Sequence, residues 1–388
     1  MVWLALKNSL LKEFPIIKDC VYLNTASIGL TPKSVISYVK EFLDDILSWG
    51  TVHFDEEKEA MVFEDLRRVS SKLFNCSFDE IAVFTSVTEA INSIAWALNF
   101  KNCKIVSTEV EFPTVVYPWI RISKEKNWNV VLVKARNYLI NEEVLLSEID
   151  ENTKVVCLSH VEYLTGQRFN LKRIAEKTHN VDALLIVDGI QAAGHIPVDV
   201  KKLDVDVYVT GSYKWLIGPM GAAVAYIRKE LYEQLEPGIV GWRSVEDIWS
   251  LNTTLLKYAR TARKFEHSTS AYETKIGMAK SIEYLLKTGI NKIYDHNIKT
   301  TNYLIDELTA IDSVELITPP NPSERGSIVT FSIKNISSET LARKLLEYKG
   351  RRLIFSIRRG LIRLSPHFYN DKNDIDDFLE CFMQSIKS

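Results

Sequence analysis

The sequence predicts an α/β protein in which a large domain, built on a mainly parallel seven-stranded sheet, is followed by a smaller α+β C-terminal domain. Three observations carry this. Short runs rich in branched apolar residues recur at 81–84, 104–107, 130–133, 155–159, 184–187, 205–209 and 222–227, with helical patterns between most of them. Such alternation implies a parallel sheet covered on both faces. Beyond about residue 274 the order changes to a long helical stretch, strands at 328–333, 353–356 and 361–364, and helices at about 339–348 and 374–386, which suits a separate α+β unit. A chain of 388 residues is also long enough for two domains of roughly 100–200 residues each. The expected division gives 15–273 to the large domain and 1–14 with 274–388 to the small one.

Taken in order, Trp3, Leu4, Leu6, Leu10, Leu11 and Phe14 fit one face of a helix over 2–14 that Pro15 ends. This apolar stretch is too brief for a secretory signal. The segment 21–29, VYLNTASIG, reads as a short extended piece running into small polar residues. Thr31 and Pro32 then predict a capped helix start, and Val35, Tyr38, Val39, Phe42, Leu43, Ile46 and Leu47 predict a buried stripe. A second helix is expected over 59–74, before the alternation begins. Between 228 and 263 the pattern weakens, and from 272 to 308 it is helical with an interruption near Gly289.

Composition narrows the function classes. Basic and acidic side chains nearly balance, 48 against 50, so neither a nucleic-acid nor a membrane partner is expected. No run approaches the ~18 apolar residues of a membrane span. Cys20, Cys76, Cys103, Cys157 and Cys381 are scattered and never form C-x-x-C, which argues against a disulfide framework or a zinc site and for a reducing cytoplasm. No metal is expected.

The chemistry concentrates in 183–221, ALLIVDGIQAAGHIPVDVKKLDVDVYVTGSYKWLIGPMG. One apolar run leads into Asp188 and Gln191, the other into Ser212, Tyr213 and Lys214. Ligands of open α/β sheets sit outside the carboxyl ends of the strands, so an acid and an amine would face one cleft. A lysine at a strand end is more often a solvated surface residue. Its company, with GSYKWLIGPMG around it and Asp188 upstream, favours a chemical role. Similarly, TSVTEAIN at 85–92 opens a helix whose backbone N–H groups suit a phosphate, although Thr or Ser before Glu is also an ordinary capping pattern.

The segments VDGIQAAGHIPVDV, GSYKWLIGPMG, TSVTEAIN, SHVEYLTG, RKFEHST and LIRLSPHFYN together resemble the class V aminotransferase group of fold type I pyridoxal-phosphate enzymes, which includes cysteine desulfurases, isopenicillin N epimerase-like proteins and kynureninases. The resemblance runs from about Tyr22 to the C-terminal helix. It implies pyridoxal 5'-phosphate as cofactor, held on Lys214 as a Schiff base with Asp188 at the pyridine nitrogen. It further implies Val87, Thr88 and Tyr213 as phosphate contacts and Phe112 as the ring stacked on the cofactor, where desulfurases have His and kynureninases Phe. Gln191 and Tyr163 are implied near the phenolic oxygen, Arg363 as the substrate-carboxylate clamp, and Thr269 as the residue reaching the phosphate of a neighbouring subunit in a homodimer. His160 is either an ordinary satisfied histidine or part of the site.

The stretch GRRLIFSIRRG at 350–360 departs from the desulfurase pattern, because it lacks the nucleophilic cysteine that those relatives carry before the substrate arginine. The expected activity is therefore, in order, a class V aminotransferase acting on an amino acid, a kynureninase-like lyase or hydrolase or an amino-acid epimerase, and then a cysteine desulfurase. A catalytically silent cofactor-binding homologue is the alternative outside enzymes.

Overall fold

The computed structural model describes residues 9–387. The predicted N-terminal helix lies partly outside them, and residues 9–13 are helical. The strands are β1 (Cys20–Tyr22), β2 (Ile81–Phe84), β3 (Lys104–Thr108), β4 (Asn129–Val133), β5 (Thr153–Ser159), β6 (Leu184–Asp188), β7 (Val207–Gly211), β8 (Ala223–Ile227), β9 (Val314–Leu316), β10 (Val329–Ile333), β11 (Glu347–Tyr348), β12 (Arg351–Ile354), β13 (Ser356–Arg358) and β14 (Leu361–Leu364).

Seven of them form one sheet in the order β2-β8-β7-β6-β5-β3-β4. Only β8 runs against its neighbours β2 and β7, and the remaining pairs are parallel. The expected mainly parallel sheet is thus present, and its sequence signature has a simple cause. Both faces are covered, so consecutive residues must all be apolar. On β5, Val156 and Leu158 enter one apolar layer while Val155 and Cys157 enter the opposite one, the two-residue period of a strand.

The C-terminal part has an antiparallel sheet β13-β14-β10-β9 and a three-stranded sheet β1-β12-β11. β1 pairs in parallel with β12, so the beginning of the chain joins the end. The helices Tyr272–Thr288 and Ile290–Thr309 are separated by Gly289, whose φ of 95° interrupts the spiral where the sequence pattern breaks.

Several local expectations are corrected. Thr31 does not cap the first long helix, which begins at Lys33 after Pro32; its hydroxyl donates instead to the Gly218 carbonyl at 3.4 Å. The apolar stripe of the helix Lys33–Trp49 is not buried within one chain. Val35 is its only buried residue, and Leu47 is 84% exposed, because the neighbouring helix Tyr272–Thr288 covers one edge of it alone. β7 starts two residues later than expected, since Asp206 serves as a dock for β6: its carboxylate accepts the Leu185 N–H at 2.7 Å and pairs with Arg228 and His179. The helix expected over 339–348 ends at Lys344, and β9 was not anticipated.

Two turns at the carboxyl edge of the large sheet touch backbone to backbone. At Gly194, with φ 106°, a Cβ would lie 2.3 Å from the Trp215 carbonyl oxygen. No side chain fits there. Gly194→Ala is expected to destabilise the protein by roughly 3 kcal/mol, from strain and overpacking together, and chemical unfolding monitored by tryptophan fluorescence measures it. A variant as stable as the parent would refute this close fit.

Candidate active site

The site is assembled where β3, β5, β6 and β7 end. Asp188 is the last residue of β6, and β7 ends at Gly211, from which Ser212, Tyr213 and Lys214 turn across the sheet edge. The turn is fixed by Ser212 N–H to the Ala222 carbonyl at 3.0 Å, Gly218 N–H to the Ser212 carbonyl at 2.9 Å and Ile217 N–H to the Lys214 carbonyl at 3.1 Å. The loop after β1 lies against it: Gly29 N–H donates to the Tyr213 carbonyl at 2.8 Å, and a Cβ on Gly29 would sit 2.0 Å from the Lys214 carbonyl oxygen.

Burial sets the electrostatics. Lys214 is 8% exposed, and desolvation, partly opposed by Asp188, pulls its amine down to about 8. Asp188 is pushed up to about 6 by burial, against the Ile190 N–H that its Oδ1 accepts at 2.9 Å and against the charge of Lys214. The structure brings this acid and amine within electrostatic reach of each other.

Phe112 lies over the lysine, and Tyr163 packs against Phe112. The Lys214 Nζ is 5.6 Å from the Phe112 ring centre and 5.9 Å from that of Tyr213, and Phe112 meets Tyr163 edge-on at 5.4 Å. Two helix starts meet beside them: Thr88, in the first turn of Val87–Ala97, hydrogen-bonds through its hydroxyl to that of Thr114, in the first turn of Pro113–Lys126, at 2.8 Å. Gln191 is anchored by its amide to the Ala26 carbonyl at 3.0 Å and the Trp215 indole at 2.7 Å, which leaves one N–H for another partner. His160 is a satisfied core residue; its Nδ1 pairs with the Tyr208 hydroxyl at 2.9 Å, and burial lowers it to about 3. Thr269 is exposed, near His267, which bonds Glu89 of the Val87–Ala97 helix at 2.7 Å.

Arg363 is 2% exposed. It donates to Ser356 Oγ at 3.1 Å, the Tyr163 carbonyl at 2.6 Å and Ser27 Oγ at 2.7 Å, and it has no carboxylate partner among the described residues. Desolvation and the charge of Arg358 press its value below the usual one, yet a guanidinium keeps its proton. The result is a buried cation with two unused N–H donors, suited to a carboxylate.

A feature absent from the sequence reading is a pair of buried carboxyls. Glu111 accepts the Ser159 N–H at 2.8 Å and the Ser159 hydroxyl at 2.6 Å, and the Glu162 carboxyl lies near enough to act on it electrostatically. Both oxygens of Glu162 are buried without any donor. Burial and the neighbouring carboxyl favour the neutral form of Glu162, while the Ser159 donors favour the anion at Glu111. Burial, the partner carboxyl and Asp188 raise Glu162 well above its ordinary range. The sequence does hold a signal: β3 and β5 are each followed by a glutamate and then an aromatic residue, Glu111-Phe112 and Glu162-Tyr163. In the fold the acids meet each other and so do the rings.

These residues fit pyridoxal phosphate. A buried amine without an ion pair, a buried carboxyl, a ring above the amine, a helix start carrying hydroxyls and a guanidinium without an anion are the complement of that molecule and an amino acid. Thiol chemistry fits less well. Burial raises all five cysteines, Cys76 and Cys103 to about 12, whereas a sulfur nucleophile must be a thiolate. Among the described residues no cluster could hold a metal ion, and no helix is long and apolar enough to cross a membrane.

A family model for aminotransferase class V matches residues 21–378. The chain is 27% identical to a probable cysteine desulfurase of Pyrococcus abyssi, covering 97% of each, and 30% identical to the uncharacterized aminotransferase YcbU of Bacillus subtilis, covering 93% of each. Among solved structures it resembles an apo cysteine desulfurase of Thermococcus onnurineus, with a TM-score of 0.87 at 23% identity over 98% of both chains. It also resembles a cystine C-S lyase solved with its product cysteine persulfide, with a TM-score of 0.86 at 22% identity over 95% of this chain and 99% of the other.

The carboxyl pair predicts a pH dependence. Both groups bind protons more tightly folded than unfolded, so their stabilisation is complete below the ordinary carboxylate range and is lost as pH rises through the Glu111 value of about 7 and beyond. The melting temperature of the apoprotein is expected to fall as pH rises from the ordinary carboxylate range through about 7, and to fall less steeply in Glu162→Gln, which removes one of the two titrating carboxyls. Equal slopes in calorimetry would contradict a Glu162 held protonated by burial.

Proposed function

Because the chain belongs to the class V aminotransferase family of pyridoxal-phosphate enzymes, we propose that it transforms an amino acid at Lys214, with transamination as the reaction. The observation that carries this reading is the buried Lys214 amine and the buried Asp188 carboxyl at neighbouring strand ends, faced by an unpaired, buried Arg363. Pyridoxal phosphate, when bound, supplies an aldehyde for the amine and an electron-withdrawing ring.

The chain's own residues do the rest. With its amine near 8, a sizeable fraction of Lys214 is neutral at cellular pH and able to act as nucleophile and base. Its Nζ takes the proton from the α-carbon of the substrate. Asp188 would hold a proton at the ring nitrogen, and the apolar surroundings of its carboxyl would strengthen that pairing. Arg363 holds the substrate carboxylate with its two remaining donors. Phe112 would cover the ring without contributing a titrating group, Val87, Thr88 and Tyr213 would receive the phosphate, and Tyr163 and Gln191 would serve the phenolic oxygen.

Transamination requires no group beyond Lys214. Desulfuration, the name carried by several relatives, is the second reading, and the raised thiols weigh against it. The active unit is a homodimer. Its support is the uncovered apolar surface around the helix Lys33–Trp49, where Leu43, Leu47, Trp49, Val52 and Met61 are all exposed in a single chain.

Purified protein reconstituted with pyridoxal phosphate is expected to show a visible absorbance band that Lys214→Ala abolishes, and to bleach toward the amine form of the cofactor with an amino-acid substrate. Sulfide release from cysteine without bleaching would replace transamination by desulfuration. Light scattering is expected to give twice the 44.4 kDa chain mass, and a monomeric holoprotein would exclude the dimer.

A further inference from the structure

The hairpin that carries Arg363 carries a second arginine on the same face. Ser356 pairs with Arg363 directly across β13 and β14, and Arg358 lies two residues beyond Ser356, so all three side chains leave one side of the hairpin. They converge on the loop after β1. Ser27 Oγ accepts from Arg363 at 2.7 Å and from Arg358 at 3.2 Å, so the two terminal nitrogens are no farther apart than the sum of those distances.

Charge is unbalanced there. Arg358 uses one further donor on its neighbouring Ile357 carbonyl and has no ion pair among the described residues. Arg358 and Arg363 each disfavour the protonated form of Lys214, and Arg358 disfavours the charge of Arg363. Three cations therefore share a region in which Asp188 is the acidic group that acts on Lys214. Like charges on diagonal positions of a hairpin repel. The α-carboxylate of an amino acid occupies Arg363 and leaves Arg358 still unmatched. Arg358 differs from Arg363 in a useful respect, being exposed where Arg363 is buried, so it stands at the mouth of the site where a side chain would extend.

We propose that Arg358 determines specificity and that the substrate is a short α-amino dicarboxylate, its α-carboxylate on Arg363 and its side-chain carboxylate on Arg358. This rests on the amino-acid reading of the site given above. The spacing favours two or three carbons between the carboxylates, because both guanidinium groups reach a single hydroxyl.

The test uses the holoprotein and follows bleaching of the cofactor band with L-aspartate, L-glutamate and L-alanine, for the parent and for Arg358→Gln. The exposed position of Arg358 makes the variant compatible with folding, and an intact cofactor band verifies it. In the parent, one of the two acidic amino acids is expected to react with an apparent second-order rate constant about tenfold or more above that of L-alanine, the worth of one charge-assisted hydrogen bond. Arg358→Gln is expected to remove most of that advantage, chiefly by raising the half-saturating concentration of the acid, and to affect the acid at least about tenfold more than L-alanine. Equal reactivity of neutral and acidic amino acids in the parent would overturn the assignment and leave the amino-acid reading standing. Equal losses for L-alanine and the acid in the variant would overturn it in favour of both arginines gripping one carboxylate. A holoprotein whose band responds to no amino acid would remove the underlying reading as well.

Discussion

The cost of holding charge away from water governs the carboxyl edge of the large sheet. Lys214, Asp188, Glu111 and Glu162 are buried at or just beyond the ends of its strands, and Arg363 is buried on β14 of the smaller sheet. Each is shifted toward its neutral form, and in each case desolvation is the leading cause. Water cannot compensate them, so they must be satisfied by one another, by backbone groups or by a ligand. Burial holds Glu111 and Glu162 toward their neutral forms, whereas Lys214 and Arg363 remain without an anion of their own. That residue of unmet charge is what defines the site chemically.

The sheet makes this arrangement possible because it is almost featureless beneath the edge. A parallel ladder fixes the relative heights of its strand ends, with Ser159 opposite Asp188 and Asp188 opposite Val209. Side chains that follow those residues are therefore delivered at defined positions by backbone geometry alone. The aromatic layer follows the same logic. Phe112 caps the start of one helix and Tyr163 leaves a neighbouring strand end, and their edge-on contact places an apolar wall above the amine. The smaller sheet then contributes Arg363 from above, reaching Tyr163 and Ser27 across the boundary between the two halves.

Much of this was legible in the sequence, and for identifiable reasons. The seven strands of the large sheet announce themselves because burial on both faces leaves continuous branched runs, and Asp188 and Lys214 stand out as polar residues where such runs stop. Arg363 was found through its surrounding pattern. Strand edges that carry few residues, such as β9 and β11, were not legible, since two or three residues hold no period. Nor was the exposure of the stripe on the helix Lys33–Trp49, because periodicity says that a face is apolar and is silent on what covers it. Ser27, Ser356 and Arg358 escaped for another reason: their meeting depends on contacts spanning more than 300 residues, or on a hairpin register that a short strand does not encode. The carboxyl pair was present as two similar dipeptides, but only the fold brings one glutamate against the other.

The pairing of β1 with β12 carries a consequence for how the protein is made. Arg351 binds the Cys20 carbonyl across 331 residues of sequence, Thr25 meets the Tyr369 hydroxyl, and Gly29 seats on the carbonyl of the lysine turn. Contacts of such span form late, and on a ribosome they wait for almost the entire chain. The first strand to emerge is thus one of the last to be placed. Until it arrives, the lysine turn lacks its cover and Arg363 lacks Ser27. The site is therefore complete only once the segment from β12 to Tyr369 is in place to hold β1 and the loop after it.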